Sequence, residues 1–395
     1  MQKRIVFLVI AVFFCSETTG NDIKVCNFTC LDYSLVFWNF HIHTAFSNRK
    51  GTDLDHRFAP NLDDIYNFCH NPGYGLVGSD HGGLLSRMQW LKLKAKSDEL
   101  SSISRMFVRG FEWSNGNVFD PFPIDFAHII VANTTRFADS KKITPNCGAD
   151  IVKSYILMWT WLNDNLGTEG QWGFPHPWVG AYQFSDFMLS PYELVNQRCC
   201  WIEIAGGPQN RKARDGLVYY IRALQKGWRV SPVYGSDNFA GFGQSEINNF
   251  TGIMFVDYVG YTPGMTLNQI ALKEVQRHRV YVCEGRRRYG VYFLNYITLR
   301  DGSKVVMGDT VAPRALNQVR NFVVDTTMKI NQIKEIQYHF VYPDNAKKIV
   351  VDNKKGNFDD SEVVQAFHER IPLAFFVCIV DKGGNYVVGS PIWFD

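Results

Sequence analysis

The chain has 395 residues, with 41 Lys and Arg against 38 Asp and Glu, a formal net charge of +3. That near-neutral balance argues against a dedicated nucleic-acid binder, which carries a strong basic excess. With 46% hydrophobic and 20% charged residues the chain is globular rather than disordered, and its length fits two domains or one large barrel with an appendix.

Residues 1–20 read as a cleavable secretory leader. Lys3 and Arg4 give a positive start, residues 5–15 are apolar, and residues 16–20 are small and polar. The apolar run is roughly half of the ~20 residues a spanning helix needs, so an uncleaved anchor is the lesser alternative. Cys15 follows Phe13 and Phe14, which are too bulky for a lipoprotein cleavage site. The expectation is a chain in the extracellular space or an endomembrane lumen, with no transmembrane segment after the leader.

Eight cysteines then remain: Cys26, Cys30, Cys69, Cys147, Cys199, Cys200, Cys283 and Cys378. An even number in a secreted chain predicts disulfides whose pairing is open. Cys26 and Cys30 are close enough to bridge locally, whereas the adjacent Cys199 and Cys200 need separate partners. No C-x-x-C pair occurs, so a zinc knuckle is not expected. Sequons at Asn27, Asn133 and Asn249 are N-glycan acceptors if the source is eukaryotic.

From residue 35 onward short apolar runs alternate with helical patterns. Strands are predicted at 35–41, 75–79, 106–112, 126–132, 173–176, 201–204 and 231–236. Helices are predicted at 62–70, 84–95, 149–163, 192–197, 214–225 and 267–278. Such alternation predicts βα units around a parallel sheet, and seven repeats over about 250 residues favour closure into a barrel. After residue 289 the pattern turns to strands at 293–299, 321–324, 333–342, 348–351, 373–380 and 386–393. Helical periodicity disappears there, and turn signals such as Asp301-Gly302 and Gly383-Gly384 separate the runs. The reading is a small antiparallel β-sandwich over 289–395.

The placement of polar residues carries the functional signal. Catalytic groups of a βα barrel sit at the C-terminal ends of its strands. Here those strands carry His41-Ile42-His43, Ser79-Asp80-His81, Glu112, His128, His176, Glu203 and Asp237. Residues i and i+2 of a strand share a face, so His41 and His43 can reach one ion. Packing several desolvated imidazoles and carboxylates together without a cation is costly, which predicts a metal site.

These motifs resemble the polymerase-and-histidinol-phosphatase (PHP) superfamily. They are His41-Ile42-His43-Thr44 with Ser47, Gly78-Ser79-Asp80-His81, Gly110-Phe111-Glu112, Ala127-His128-Ile129-Ile130, Pro175-His176-Pro177 and Gly235-Ser236-Asp237. The resemblance covers about residues 35–285, and residues 279–285 with 295–308 look like the tail of relatives carrying a C-terminal β-domain. It implies an α/β fold, a distorted (β/α)7 PHP-type barrel over 25–288. It also implies two or three metal ions and mainly phosphoesterase activity, with some branches cleaving amide or carbamate bonds. Carried over by position, one ion falls to His41, His43, Glu112 and Asp237. A second falls to Glu112, His128 and His176, with Glu112 bridging. The donor set fits zinc, manganese or iron and suits magnesium or calcium less well.

Two positions depart from the family pattern. Asn48 stands where an acidic residue or His is common, and Phe239 where the last motif usually has His. A third ion using His81 is therefore not expected. His81 is left to contact substrate or act as general acid, with Asp80 orienting it. Glu203 is read as structural or as a support for the ligands. Asp55 and His56 read as surface, Arg286, Arg287 and Arg288 as a solvated turn or an anion contact, and Trp172 and Trp178 as core.

The leading reading is a secreted two-metal phosphoesterase acting on a small anionic substrate. Hydrolysis of an amide, carbamate or ester on the same metals is the alternative, favoured by the departures at Asn48 and Phe239. A non-catalytic secreted binding protein on the same scaffold is the third.

Overall fold

The computed structural model describes residues 25–26, 34–47, 61–69, 74–102, 105–114, 128–143, 151–178, 184–207, 210–237, 249–255, 264–285, 291–312, 319–353 and 361–395. The expected leader lies outside them, as do Asn27, Cys30, Asn48, Asp55, His56, Cys147, Phe239, Arg286, Arg287 and Arg288. No described helix is long and apolar enough to cross a membrane.

Among the described residues the first part supplies ten strands: β1 (Val25–Cys26), β2 (Ser34–Ile42), β3 (Tyr74–His81), β4 (Met106–Ser114), β5 (His128–Ala132), β6 (Gln171–Phe174), β7 (Cys199–Gly206), β8 (Ser231–Gly235), β9 (Phe250–Phe255) and β10 (Val280–Cys283). β3 to β8 are buried along most of their length. Runs such as Leu76-Val77 and Ile129-Ile130-Val131 show no polar alternation because both faces of this sheet are covered.

β2 through β8 lie side by side in chain order. The sheet curls until the end of β8 meets the end of β2. Asp237 N–H donates to the His41 carbonyl at 2.9 Å, and Asn39 Nδ2 to Ser236 Oγ at 2.7 Å. The inner face holds Trp38, Phe40, Val77, Val108, Ile130, Trp201 and Val233. The helix Leu267–Gln276 adds Ala271, Leu272 and Val275 beneath the strand starts, where Gln171 Nε2 donates to the Leu272 carbonyl at 2.6 Å. The helices Arg87–Ser102, Ile151–Asn165 and Ala213–Gln225 cover the outer face.

The sheet differs from the expected parallel one at two places. β5 runs antiparallel to both β4 and β6. Beyond β2, the strands β9 and β10, neither of them foreseen, join by antiparallel pairing. A short run such as His128-Ile129-Ile130-Val131-Ala132 has the composition of a buried strand, but composition has no direction.

The second half contributes β11 (Phe293–Leu299), β12 (Lys304–Val306), β13 (Thr310–Val311), β14 (Val319–Thr326), β15 (Ile333–Val341), β16 (Ala346–Asp352), β17 (Ala374–Asp381), β18 (Tyr386–Gly389) and β19 (Ile392–Phe394). β1, β14, β11 and β12 form a small separate sheet. It packs through Phe322 and Val324 on Tyr338, Phe340 and Phe375 of the other layer. β18 pairs with β10, so β17, β19, β15 and β16 continue the large sheet. The expected all-β segment also contains a helix, Ser361–Glu369. Val363, Ala366 and Phe367 bury one of its faces at helical spacing.

The disulfide expectation is corrected for four cysteines. Cys69, Cys199, Cys200 and Cys378 are free, buried thiols, and Cys283 is buried as well. They pack as small apolar side chains. The neighbours Cys199 and Cys200 face opposite sides of β7, one in the outer core and one in the inner. Burial pushes the Cys69 and Cys200 thiols up to about 12, which leaves them inert.

Candidate metal centre

The site lies at the rim where the parallel strands end. Along β4, period two puts Val108 and Glu112 on the inner face. β5 puts Ile130 and His128 there in the same way, and because it is reversed its first residue reaches the rim that its neighbours reach with their last. β2 needs an extra device. Its register against β3 passes from Asn39–Leu76 to Ile42–Gly78, three residues against two. This bulge interrupts the alternation begun by Trp38 and Phe40. Ile42 turns into the outer core, and His41 and His43 turn inward.

The side chains converge on Glu112. Its Oε1 lies 2.6 Å from His128 Nδ1, 3.1 Å from His176 Nε2 and 3.6 Å from His41 Nε2. Its Oε2 lies 3.1 Å from His81 Nδ1 and 3.4 Å from His43 Nε2. Asp237 Oδ1 stands 3.1 Å from His43 Nε2 and 3.3 Å from His41 Nε2, and Asp237 Oδ2 is 3.8 Å from His176 Nε2. His41 Nε2 and His43 Nε2 are themselves only 3.1 Å apart. Three trios emerge whose donor atoms lie within 4.8 Å of one another: His41, Glu112 and His176; His41, His43 and Asp237; His43, His81 and Glu112.

Electrostatics follow from this crowding. Burial alone would depress His41, but the carboxylates of Asp237, Glu203 and Glu112 outweigh it and hold its pKa well above the usual imidazole value. His43 is raised too, burial being overcome by the neighbouring carboxylates of Asp237 and Glu112. Half-buried His81 goes the other way, lowered by desolvation and by the charge of His43. Burial opposes the ionised carboxylates, yet the imidazoles hold Glu112 far below its normal range and Asp237 at about 2. The cluster is one of ionised acids that call for positive charge at their centre.

Two ligand candidates carry unusual backbone. His176 has φ 23° and Asp237 φ 49°, in the left-handed region that costs non-glycine residues about 1–3 kcal/mol and recurs at functional sites. The carboxylate of Glu203, fully buried on β7, accepts the His176 N–H at 2.8 Å and faces His41 Nδ1 at 2.9 Å. It touches two of the candidate ligands directly.

Asp80 does something other than orient His81. Consecutive strand residues face opposite ways. The Asp80 carboxylate accepts from Thr44 N at 2.7 Å, Thr44 Oγ1 at 2.7 Å and Ser47 Oγ at 2.8 Å. It holds the turn after β2, while His81 faces Glu112. Trp172 is core, its Nε1 donating to the Val195 carbonyl at 2.8 Å. Trp178 lies against Gly207, and the Arg211 guanidinium sits 5.6 Å from its ring centre. Arg211 thus lies against Trp178, two residues beyond His176 in the chain. Sequence reading passed it over because it sits in a Gly-rich turn outside every motif.

No protein-family model matches the chain, and no curated protein matches it. Two solved structures align with it. One is a two-domain protein from Bacteroides vulgatus ATCC 8482, described as containing a predicted PHP-like metal-dependent phosphoesterase. It is 12% identical, with a TM-score of 0.37, over 85% of this chain and 100% of that one. The other is from Bifidobacterium adolescentis ATCC 15703, described as a putative metal-dependent phosphoesterase. It is 13% identical, with a TM-score of 0.31, over 60% of this chain and 94% of that one. Both scores are below the level at which a shared fold or activity follows, so the metal reading rests on this chain's own side chains.

Those side chains fit a divalent cation. Glu112 Oε2 is buried and accepts no well-aligned hydrogen bond, although two imidazole nitrogens face it. Mixed imidazole and carboxylate donors around such an oxygen suit zinc, manganese or iron.

Proposed function

We propose that the chain is a phosphoesterase with two divalent cations on a distorted PHP-type barrel. The observation that carries this reading is the position of Glu112. Its Oε1 faces His128 and His176, with His41 farther off at 3.6 Å, and its Oε2 faces His43 and His81. A carboxylate so placed can serve two ions at once. His41, His43 and Asp237 would hold one, and His128 and His176 the other.

When bound, such a pair would supply Lewis acidity and would lower the pKa of water toward ~7. The chain's own residues do the rest. Asp237 and Glu112 bring the negative charge that retains the cations. The buried walls of β2, β4 and β7 keep the ligands from rearranging. His81, partly open to solvent and with its pKa lowered, is suited to exchange a proton with a leaving group at the rim.

The test is hydrolysis of aryl phosphate mono- and diesters by the metal-loaded protein, with and without chelator, beside a panel of esters and amides. Chelator-sensitive turnover of phosphates supports the reading. Turnover of amides alone moves the activity to the other hydrolase class. Purified protein with less than one ion per chain and no turnover overturns it.

A further inference from the structure

We infer that two buried carboxylates, Glu203 and Asp80, are positioning residues that fix the tautomers of His41 and His43 so that both Nε2 lone pairs point at one spot. This rests on the proposed metal centre and deepens it.

The available protons decide both rings. A serine hydroxyl has one proton and two lone pairs. Ser47 Oγ donates its proton to Asp80 Oδ1 at 2.8 Å. It also accepts the His81 backbone N–H at 3.1 Å. One lone pair remains, and His43 Nδ1 lies 2.9 Å away. His43 must therefore donate from Nδ1. On the other ring, His41 Nδ1 faces Glu203 Oε1 at 2.9 Å and must donate too. Glu203 Oε2 is already taken by the His176 N–H at 2.8 Å.

With both Nδ1 protons committed outward, the nitrogens left to give up their protons to a cation are the two Nε2 atoms. Those atoms are 3.1 Å apart, with Asp237 Oδ1 within 3.3 Å of each. Two lone pairs at that distance repel unless a positive charge lies between them. The outer carboxylates thus build the chelating geometry in advance, as second partners of metal-bound histidines do elsewhere. The fold makes room for this. A Cβ on Gly235 would lie 2.2 Å from Glu203 Oε1 and 2.7 Å from His41 Cβ. Glycine there lets β8 close over the Glu203–His41 pair.

The test measures zinc affinity by competition with a chromophoric chelator for the full chain and for Glu203→Gln, Ser47→Ala and Ser47→Thr. Two-bond proton–nitrogen spectra of the metal-free protein, labelled on histidine and recorded at a pH above the titration of both rings, report the tautomers. Glu203→Gln keeps an acceptor for His176 but turns an N–H toward His41 Nδ1, so His41 should move to the Nε2–H form. We expect ~10–100-fold weaker zinc binding for Glu203→Gln and Ser47→Ala, with Ser47→Thr restoring most of it. Wild-type affinity and unchanged tautomers in the first two variants overturn the inference and leave the metal centre standing. A wild-type chain that binds no zinc, manganese or iron overturns the metal centre, and the inference with it.

Discussion

Glu112 is the residue around which the cluster is organised, and its charge matters more than its shape. Replacing it as Glu112→Gln keeps the volume, removes the negative charge between the imidazoles and turns an N–H toward one of them. The outer partners of a metal site are worth ~10–100-fold in affinity or activity. Loss of a shared ligand should exceed that, so hydrolysis is expected to fall by more than about 100-fold. Bound metal, measured by elemental analysis, should drop below that of the wild type, with the thermal melt of the metal-free protein little changed. Retention of full metal content would remove Glu112 from the centre. A second residue-scale prediction lies far from the rim. Asp325 on β14 is buried opposite Leu294 of β11, and burial raises its pKa to about 7, with Lys304 and the Thr326 N–H offsetting only part. Between the unfolded value of ~3.9 and 7 the folded chain holds a proton that the unfolded chain has released. Stability therefore falls as pH rises through that window and is flat above it. Asp325→Asn has no charge to bury. Calorimetry should find it more stable than wild type by on the order of 2–4 kcal/mol at pH 8 and nearly equal at pH 3, below the unfolded value. A gain that is the same at both pH values would contradict the buried charge.

At the scale of elements, two irregularities build the rim. The bulge in β2 aims His41 and His43 inward, and the reversal of β5 brings His128 to the end where its neighbours finish. Gly235→Ala tests how tightly these elements close. The added methyl would overlap Glu203 and His41, both fully buried. Overpacking of that kind costs about 1–3 kcal/mol, and here it also moves a ligand. A lowered melting temperature together with reduced metal content is the expected outcome, and a lowered melt with full metal content would argue against the closure. These elements also show how far sequence reading reached. His41, His43, His81, Glu112 and Asp237 were visible because charged side chains interrupt apolar runs at their ends, where a buried strand leaves the core. The direction of β5 was not visible, since five apolar residues read alike in either direction. The true partner of Asp80 was hidden as well. It depends on a turn after β2 whose path follows from the bulge, and no spacing rule encodes that bulge.

On the scale of the whole molecule, the change in composition near residue 289 marks a change in architecture that hydrogen bonds cross. β10 pairs with β18, at Tyr281–Gly389, Val282–Val388 and Cys283–Val387. The same hydrophobic core holds Tyr220, Trp228 and Val282 from the first part and Val341, Phe376, Val388 and Trp393 from the second. Tyr220 packs on Phe376 with ring centres 4.9 Å apart, and His278 on Trp393 at 4.7 Å. Arg229 is bound to the carboxylate of Asp395. Partners this far apart in sequence, drawn from ordinary apolar strands, leave no local sign. A chain ending at residue 288 would open an unpaired edge along β10 and uncover aromatic surface on the helix Ala213–Gln225. Open edges and large apolar patches lead to aggregation. The truncated chain is therefore expected to be insoluble, or to bind hydrophobic dyes without a cooperative melt, while the full chain should unfold in one calorimetric transition. A soluble, monomeric fragment 25–288 that melts sharply and binds metal as the full chain does would show that the β-rich half is dispensable to the rim. The packing of Phe376 and Trp393 would then be an embellishment of a barrel that is stable alone.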